Sequence, residues 1–161
     1  MLQDVFLFSD TIRNNITLHD EEYTDEEINQ VCEYVNADSF INKLEKGLDT
    51  PVLEKGDNFS QGQRQLLSFA RTVLHKPQIL ILDDATANID TETEKLIQDS
   101  LEKIKNIGTM LVVAHRLSTI QNADQIIVLN HGEVIEKGTH QSLLKQKGYY
   151  HKLYLLQFKN D

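Results

Sequence analysis

Ile79-Leu80-Ile81-Leu82-Asp83-Asp84 is a run of four consecutive aliphatic residues that stops on two carboxylates. An apolar run without alternation predicts a strand covered on both faces, as strands of parallel sheets are. Met110-Leu111-Val112-Val113-Ala114 repeats the pattern and stops at His115. Between the two runs, residues 91–106 read as a helix, with Thr91 and Glu94 spaced as a capping box. Strand, helix, strand at this spacing predicts a parallel α/β unit with a right-handed crossover.

Upstream of this unit the chain reads mainly helical. Thr24-Asp25-Glu26-Glu27 is a capping box, and Ile28, Val31, Cys32 and Val35 follow at i, i+3, i+4 and i+7, which is one apolar helix face. Asp38 opens a short helix carrying Phe40, Ile41 and Leu44; residues 45–59 read as a loop, and residues 61–74 as a third helix capped by Ser60. Downstream, the runs 126–129 and 134–135 flank His131-Gly132, a hairpin turn, and helices over 139–146 and 149–157 close the chain. The expected plan is α/β: a helical part followed by a piece of a parallel sheet with flanking helices.

In open parallel sheets, ligands sit beyond the carboxyl ends of the strands. Asp83 and Asp84 at that edge suit a magnesium ion and a water, since magnesium keeps several waters and takes only one or two carboxylates. The same residues equally fit one Asp capping the next turn and one solvated. If the two apolar strands are neighbours, His115 falls on the same edge. In Asn58-Phe59-Ser60-Gln61-Gly62-Gln63-Arg64-Gln65, Ser60 caps a helix and Gly62 permits close approach to the backbone. Free N–H groups and the positive dipole end at such a position favour an anion such as phosphate. An ordinary capped helix has the same local sequence.

Bulk properties narrow the class. The chain has 161 residues and a net charge of −9, with 40% hydrophobic and 25% charged residues. That length suits one domain, and the acidic balance argues against a nucleic-acid partner, because such proteins present a basic face. The single cysteine, Cys32, rules out an internal disulfide and a cysteine-built metal site. No apolar run approaches the ~18 residues of a membrane span. No signal peptide is read at Met1-Leu2-Gln3-Asp4.

Ser60-Gln61-Gly62-Gln63, then residues 79–84, then Ala114-His115-Arg116, in this order, resemble the ATP-binding cassette of ABC transporters. The resemblance implies a P-loop NTPase fold, with a helical subdomain (residues 1–75) and the second half of a RecA-like parallel sheet (residues 76–161), across the whole of 1–161. It implies that Ser60, Gln61, Gly62 and Gln63 form the signature motif, that Asp83 is the Walker B aspartate holding Mg2+ through water, and that Asp84 stands at the catalytic glutamate. Ala87-Asn88-Ile89-Asp90 is similar to the D-loop, His115 to the switch histidine at the γ-phosphate, and Gln3 to the Q-loop glutamine that senses magnesium and the attacking water. Residues 3–12 and 50–56, the latter with Glu54, resemble the post-Q-loop and X-loop segments of exporters. Phe6 and Phe8 suit either a core or the neighbourhood that receives a coupling helix. The implied ligands are ATP and Mg2+. The implied partners are a transmembrane domain and a second cassette in a head-to-tail dimer, at the cytoplasmic face of the membrane.

Three departures qualify these expectations. None of the seven glycines is followed by lysine, so the G-x-x-x-x-G-K-[S/T] phosphate loop is absent from these 161 residues, and the chain by itself is expected to be inactive. Asp84 is one methylene shorter than glutamate, an exchange associated in exporters with degenerate sites of heterodimers. Gln61 stands where the family usually has glycine; its N–H remains available. A non-enzymatic module lending Ser60 to Gln63 to a partner is the alternative. A chromosome-maintenance ATPase shares similar motifs, but the long heptad arms of that class are missing here.

Overall fold

The computed structural model describes residues 5–83, 91–105, 107–114 and 117–158. The chain forms two compact units, Met1–Val113 and Ala114–Asp161. Among the described residues no helix is long and apolar enough to cross a membrane.

In the first unit, helix α1 (Ile12–Thr17) starts at Thr11, whose hydroxyl accepts from the Asn14 N–H, and stops at Leu18 in the left-handed region. Helix α2 (Asp25–Tyr34) carries the expected capping box, with Thr24 and Glu27 bonded reciprocally, and buries Ile28 and Cys32. Helix α3 (Asp38–Ile41) is the short element opened by Asp38. The segment expected to be a plain loop contains two 3-10 turns, Gly47–Asp49 and Glu54–Gly56. Helix α4 (Gln61–His75) is the centre of the unit. It buries Leu66, Leu67, Phe69, Ala70, Val73 and Leu74 against α1, α2 and helix α5 (Thr91–Ile104). Lys76 ends α4 at φ 44°, and Pro77 prevents its continuation. Thr91 lies in the first turn of α5 rather than before it, and its cap lies outside the described residues.

Strand β1 (Ile79–Asp83) and strand β2 (Thr109–Val113) pair in parallel, from Ile79 opposite Thr109 to Asp83 opposite Val113. Crossover through α5 joins them, as the sequence predicts. Gly108 opens β2 where a Cβ would sit 2.7 Å from the Gln78 carbonyl oxygen, so only glycine lets the two chains approach here. The expected burial of both strand faces is corrected. Leu82 is buried and Leu80, Met110 and Val112 are packed on the core, but Ile79 is 66% exposed and Ile81, Leu111 and Val113 are also exposed. The core lies on one face of the pair, and no described element covers the other, so residues of alternate parity point outward despite their apolarity.

One core runs from the helices through the strands: Leu7, Ile12, Ile28, Phe69, Leu82, Ile97 and Ile104 belong to a single cluster. Polar latches close it. The buried Ser100 hydroxyl donates to the Val35 carbonyl at 2.7 Å, and the Asn36 amide donates to Ser100 Oγ and the Leu96 carbonyl. Cys32 lies in this core, 2% exposed, and burial pushes its thiol from an ordinary 9.0 up to about 12. Two outcomes follow. At pH 8 a thiol-directed maleimide labels Cys32 only after denaturation. The raised folded value also means that the stability from keeping this thiol neutral is complete below pH 9.0 and is lost as pH rises toward about 12. Melting temperatures across that window therefore fall less steeply for Cys32→Ala than for the unsubstituted chain; identical slopes would contradict the assignment.

The second unit holds helix α6 (Leu117–Ile120), strands β3 (Ile126–Asn130) and β4 (Glu133–Gly138), helix α7 (His140–Gln146) and helix α8 (Tyr149–Phe158). The hairpin is antiparallel with a two-residue turn. His131 at φ 48° and Gly132 at φ 83° supply the left-handed pair that such a turn requires. Leu117, Ile126, Val128, Leu143 and Tyr150 form its core. The Glu136 carboxylate caps α8, accepting from the N–H groups of Tyr149 and Tyr150.

Candidate functional site

The residues of the suspected phosphate-facing motif stand together at the first turn of α4. Ser60 is the N-cap, in extended conformation, and exposed. Its Oγ accepts from the Gln63 N–H at 3.2 Å, while Gln63 Oε1 accepts from the Ser60 N–H at 2.9 Å. This reciprocal cap was legible in the S-x-x-Q spacing. It uses the serine hydroxyl as an acceptor only, so the O–H is still able to donate to an anion. Helix geometry leaves the N–H groups of Gln61 and Gly62 without intrahelical acceptors, directed off the positive end of a 15-residue helix.

The turn before α4 is held from two sides. Arg64 donates to the carbonyls of Gly56 and Phe59, both at 3.3 Å. Asn58 accepts from the Leu53 N–H and donates to the Pro51 carbonyl, both at 2.9 Å. Pro51 in turn bridges Thr11, and the Ile12 N–H donates to the Thr50 carbonyl at 3.0 Å. Residues 50–56, with exposed Glu54, are thereby joined both to residues 10–12 and to the approach to Ser60.

Asp83 ends β1 opposite Val113 and is half-buried. The condition set for His115, that the two apolar strands be neighbours, is met. His115 itself lies outside the described residues, as do Gln3, Asp84 and the D-loop with Asp90. Among the described residues no group of three His, Cys, Asp or Glu side chains gathers as a protein-only metal site, and no described hydrogen bond or ion pair joins Ser60 or Gln63 to Asp83. A carboxylate at a strand end fits magnesium held largely by water and phosphate.

The core alternative for Phe6 and Phe8 is corrected: the rings are 60% and 47% exposed. They meet edge to face at 5.1 Å. Sequence reasoning missed what holds them. Buried Asn15 pairs with Phe8 like a strand neighbour, accepting from its N–H at 2.8 Å and donating to its carbonyl at 2.9 Å. Arg71 of α4 reaches the same place. No periodicity flags a buried asparagine or a half-buried arginine.

The ABC transporter family model matches residues 1–87 of the sequence. The chain is a member of the ABC transporter family. It is 54% identical over 157 residues to "Putative ABC transporter ATP-binding protein exp8" of Streptococcus pneumoniae serotype 4, which covers 98% of this chain and 27% of that protein. It is 52% identical to "Probable multidrug resistance ABC transporter ATP-binding/permease protein YheH" of Bacillus subtilis, covering 98% of this chain and 23% of that protein. Among solved structures, a bacterial Atm1-family ABC exporter with ATP bound superposes with a TM-score of 0.86 at 37% identity, over 96% of this chain and 27% of the exporter chain. This ABC chain therefore spans about a quarter of the length of the curated relatives it matches. The expected α/β cassette fold is borne out.

Two substitutions at Ser60 probe the α4 cap. Ser60→Ala loses the bond from the Gln63 N–H to Oγ and about 1 kcal/mol of stability, read by urea unfolding. Ser60→Asp keeps a capping oxygen but places a negative charge at the anion-facing end. Its unfolding midpoint stays near that of the unsubstituted chain.

Proposed function

We propose that this chain is the signature-to-switch portion of the ATP-binding cassette of an ABC exporter. The observation that carries the proposal is the family's Ser60-Gln61-Gly62-Gln63 motif opening α4, with the reciprocal Ser60–Gln63 cap leaving the Gln61 and Gly62 amides without intrahelical acceptors at the helix end. Ser60, Gln61, Gly62 and Gln63 contact the γ-phosphate of ATP held by the opposite cassette. Asp83 would hold Mg2+, Asp84 would receive the proton of the attacking water, and His115, Gln3 and Asp90 would complete the two composite sites. Bound magnesium and ATP supply charge neutralisation and the phosphoanhydride bond to be cleaved. The exposed Phe6 and Phe8 rings and residues 50–56 receive the membrane domain, and the hydrolysis cycle resets the transporter at the cytoplasmic face. Asp84 favours a heterodimer in which this chain's own Walker B site is the slower one.

The test is Mg-dependent ATP hydrolysis and orthovanadate trapping of nucleotide by the full-length transporter in lipid vesicles. Asp83→Asn abolishes hydrolysis at this chain's site, and Ser60→Asp abolishes trapping at the opposite one. Unchanged activity in both variants sinks the assignment.

A further inference from the structure

Arg71 spends its guanidinium on one short stretch of chain. Its Nε donates to the Asn15 carbonyl at 2.7 Å, Nη2 to Asn15 Oδ1 at 3.2 Å, and Nη1 to the Phe6 carbonyl at 3.2 Å, while its carbon centre lies 5.8 Å from the middle of the Phe8 ring. Asn15 in turn holds both backbone groups of Phe8 and the Thr11 carbonyl. Arg71 thus hydrogen-bonds α4 directly to the Phe6 backbone and, through Asn15, to that of Phe8, while Leu7 between them is buried in the core. A half-buried guanidinium is tolerated because its donors find fixed acceptors, and its planar fork serves three at once, where a lysine ammonium is a single point of charge. Packing alone would have needed only an apolar side chain.

What it holds is an exposed edge-to-face aromatic pair. The helix it belongs to carries Ser60 eleven residues earlier, about 16 Å along the axis at the usual rise. Unbroken backbone hydrogen bonding makes α4 a stiff connection between these points.

We propose that Arg71 is a positioning residue that ties the Phe6 and Phe8 rings to the signature helix, so that an apolar segment of the membrane domain seated on the rings and the phosphate-facing end of α4 move together. This rests on the cassette reading above. Arg71 touches neither nucleotide nor magnesium; it acts through α4.

The experiment uses the full-length transporter in vesicles, in a background without other exposed cysteines, with an environment-sensitive fluorophore on Ser9→Cys beside the exposed Phe8. Buried Cys32 stays unlabelled. Emission is read before and after trapping with Mg-ATP and orthovanadate, and trapped nucleotide is quantified in parallel. In Arg71→Met the emission change falls by about fivefold or more while trapped nucleotide stays within about twofold, and Arg71→Lys recovers part of the change. An undiminished emission change in Arg71→Met overturns the proposal. So does joint loss of signal, trapping and melting temperature that Arg71→Lys does not restore, because that pattern is a folding role. Trapping without any emission change in the unsubstituted protein also overturns the proposal and leaves the cassette reading standing. Absence of trapping there overturns both.

Discussion

Under the proposed cassette assignment, Asp84→Glu raises ATP hydrolysis at the site to which this chain contributes Asp83 and Asp84 by about 100-fold, because misplacing a catalytic group by about 1 Å costs on that order. The aspartate carboxylate stops one methylene short of glutamate, a retreat of about 1.5 Å. Substrate binding depends on other groups, so the gain falls on kcat, and the KM for ATP stays within about twofold. In a heterodimer the faster opposite site masks this gain. The measurement is therefore made with the partner cassette's catalytic carboxylate neutralised, under saturating Mg-ATP. A rate that is unchanged or lower means that Asp84 is not the group that handles the attacking water, and the assignment of this position fails.

Phe69→Ala destabilises the first unit by about 3–5 kcal/mol. Phe69 is fully buried on α4, the helix that packs on α1, α2 and α5. Its ring belongs to the cluster that extends to Leu82 under β1 and to Ile97 on α5, so its removal leaves a cavity at the junction of helices and strands. Such a loss is comparable with the whole stability of many domains, about 5–15 kcal/mol, and the variant is expected to be largely unfolded at 37 °C. Urea unfolding at 25 °C measures it. A change below about 1 kcal/mol would mean that the site collapses to fill the space, contrary to the packing described. Exposed Leu53 on the same unit provides the contrast: Leu53→Ala stays within about 0.5 kcal/mol.

Most element types were legible because local rules and tertiary packing agreed. The Thr24 and Ser60 caps, the stop at Lys76 before Pro77, and the His131-Gly132 turn each follow from backbone groups that a neighbouring side chain or a left-handed residue must satisfy. The segment over residues 45–59 was less legible, since its first 3-10 turn is tied to α1 by Arg13 on Asp49 and by the Ile12 N–H on the Thr50 carbonyl, and its second is held by Arg64 on the Gly56 carbonyl, none of which leaves a periodic signal. Burial of Ile79 and Ile81 was overcalled for a different reason. Apolarity records that a residue suits a covered face, while exposure depends on which other elements are present to cover it.

The sequence by itself determined the capped α4 that carries Ser60, Gln61, Gly62 and Gln63 and the two apolar runs, the first stopping on Asp83 and Asp84, because each depends on residues within a few positions of one another. The structure made those two runs neighbouring parallel strands. Only the tertiary structure decided that Phe6 and Phe8 are surface rings and that Asn15 and Arg71, 56 positions apart, meet to hold them. A hydrogen bond between such distant residues leaves no periodic trace in the chain; it exists only once the hydrophobic core has brought α1 against α4.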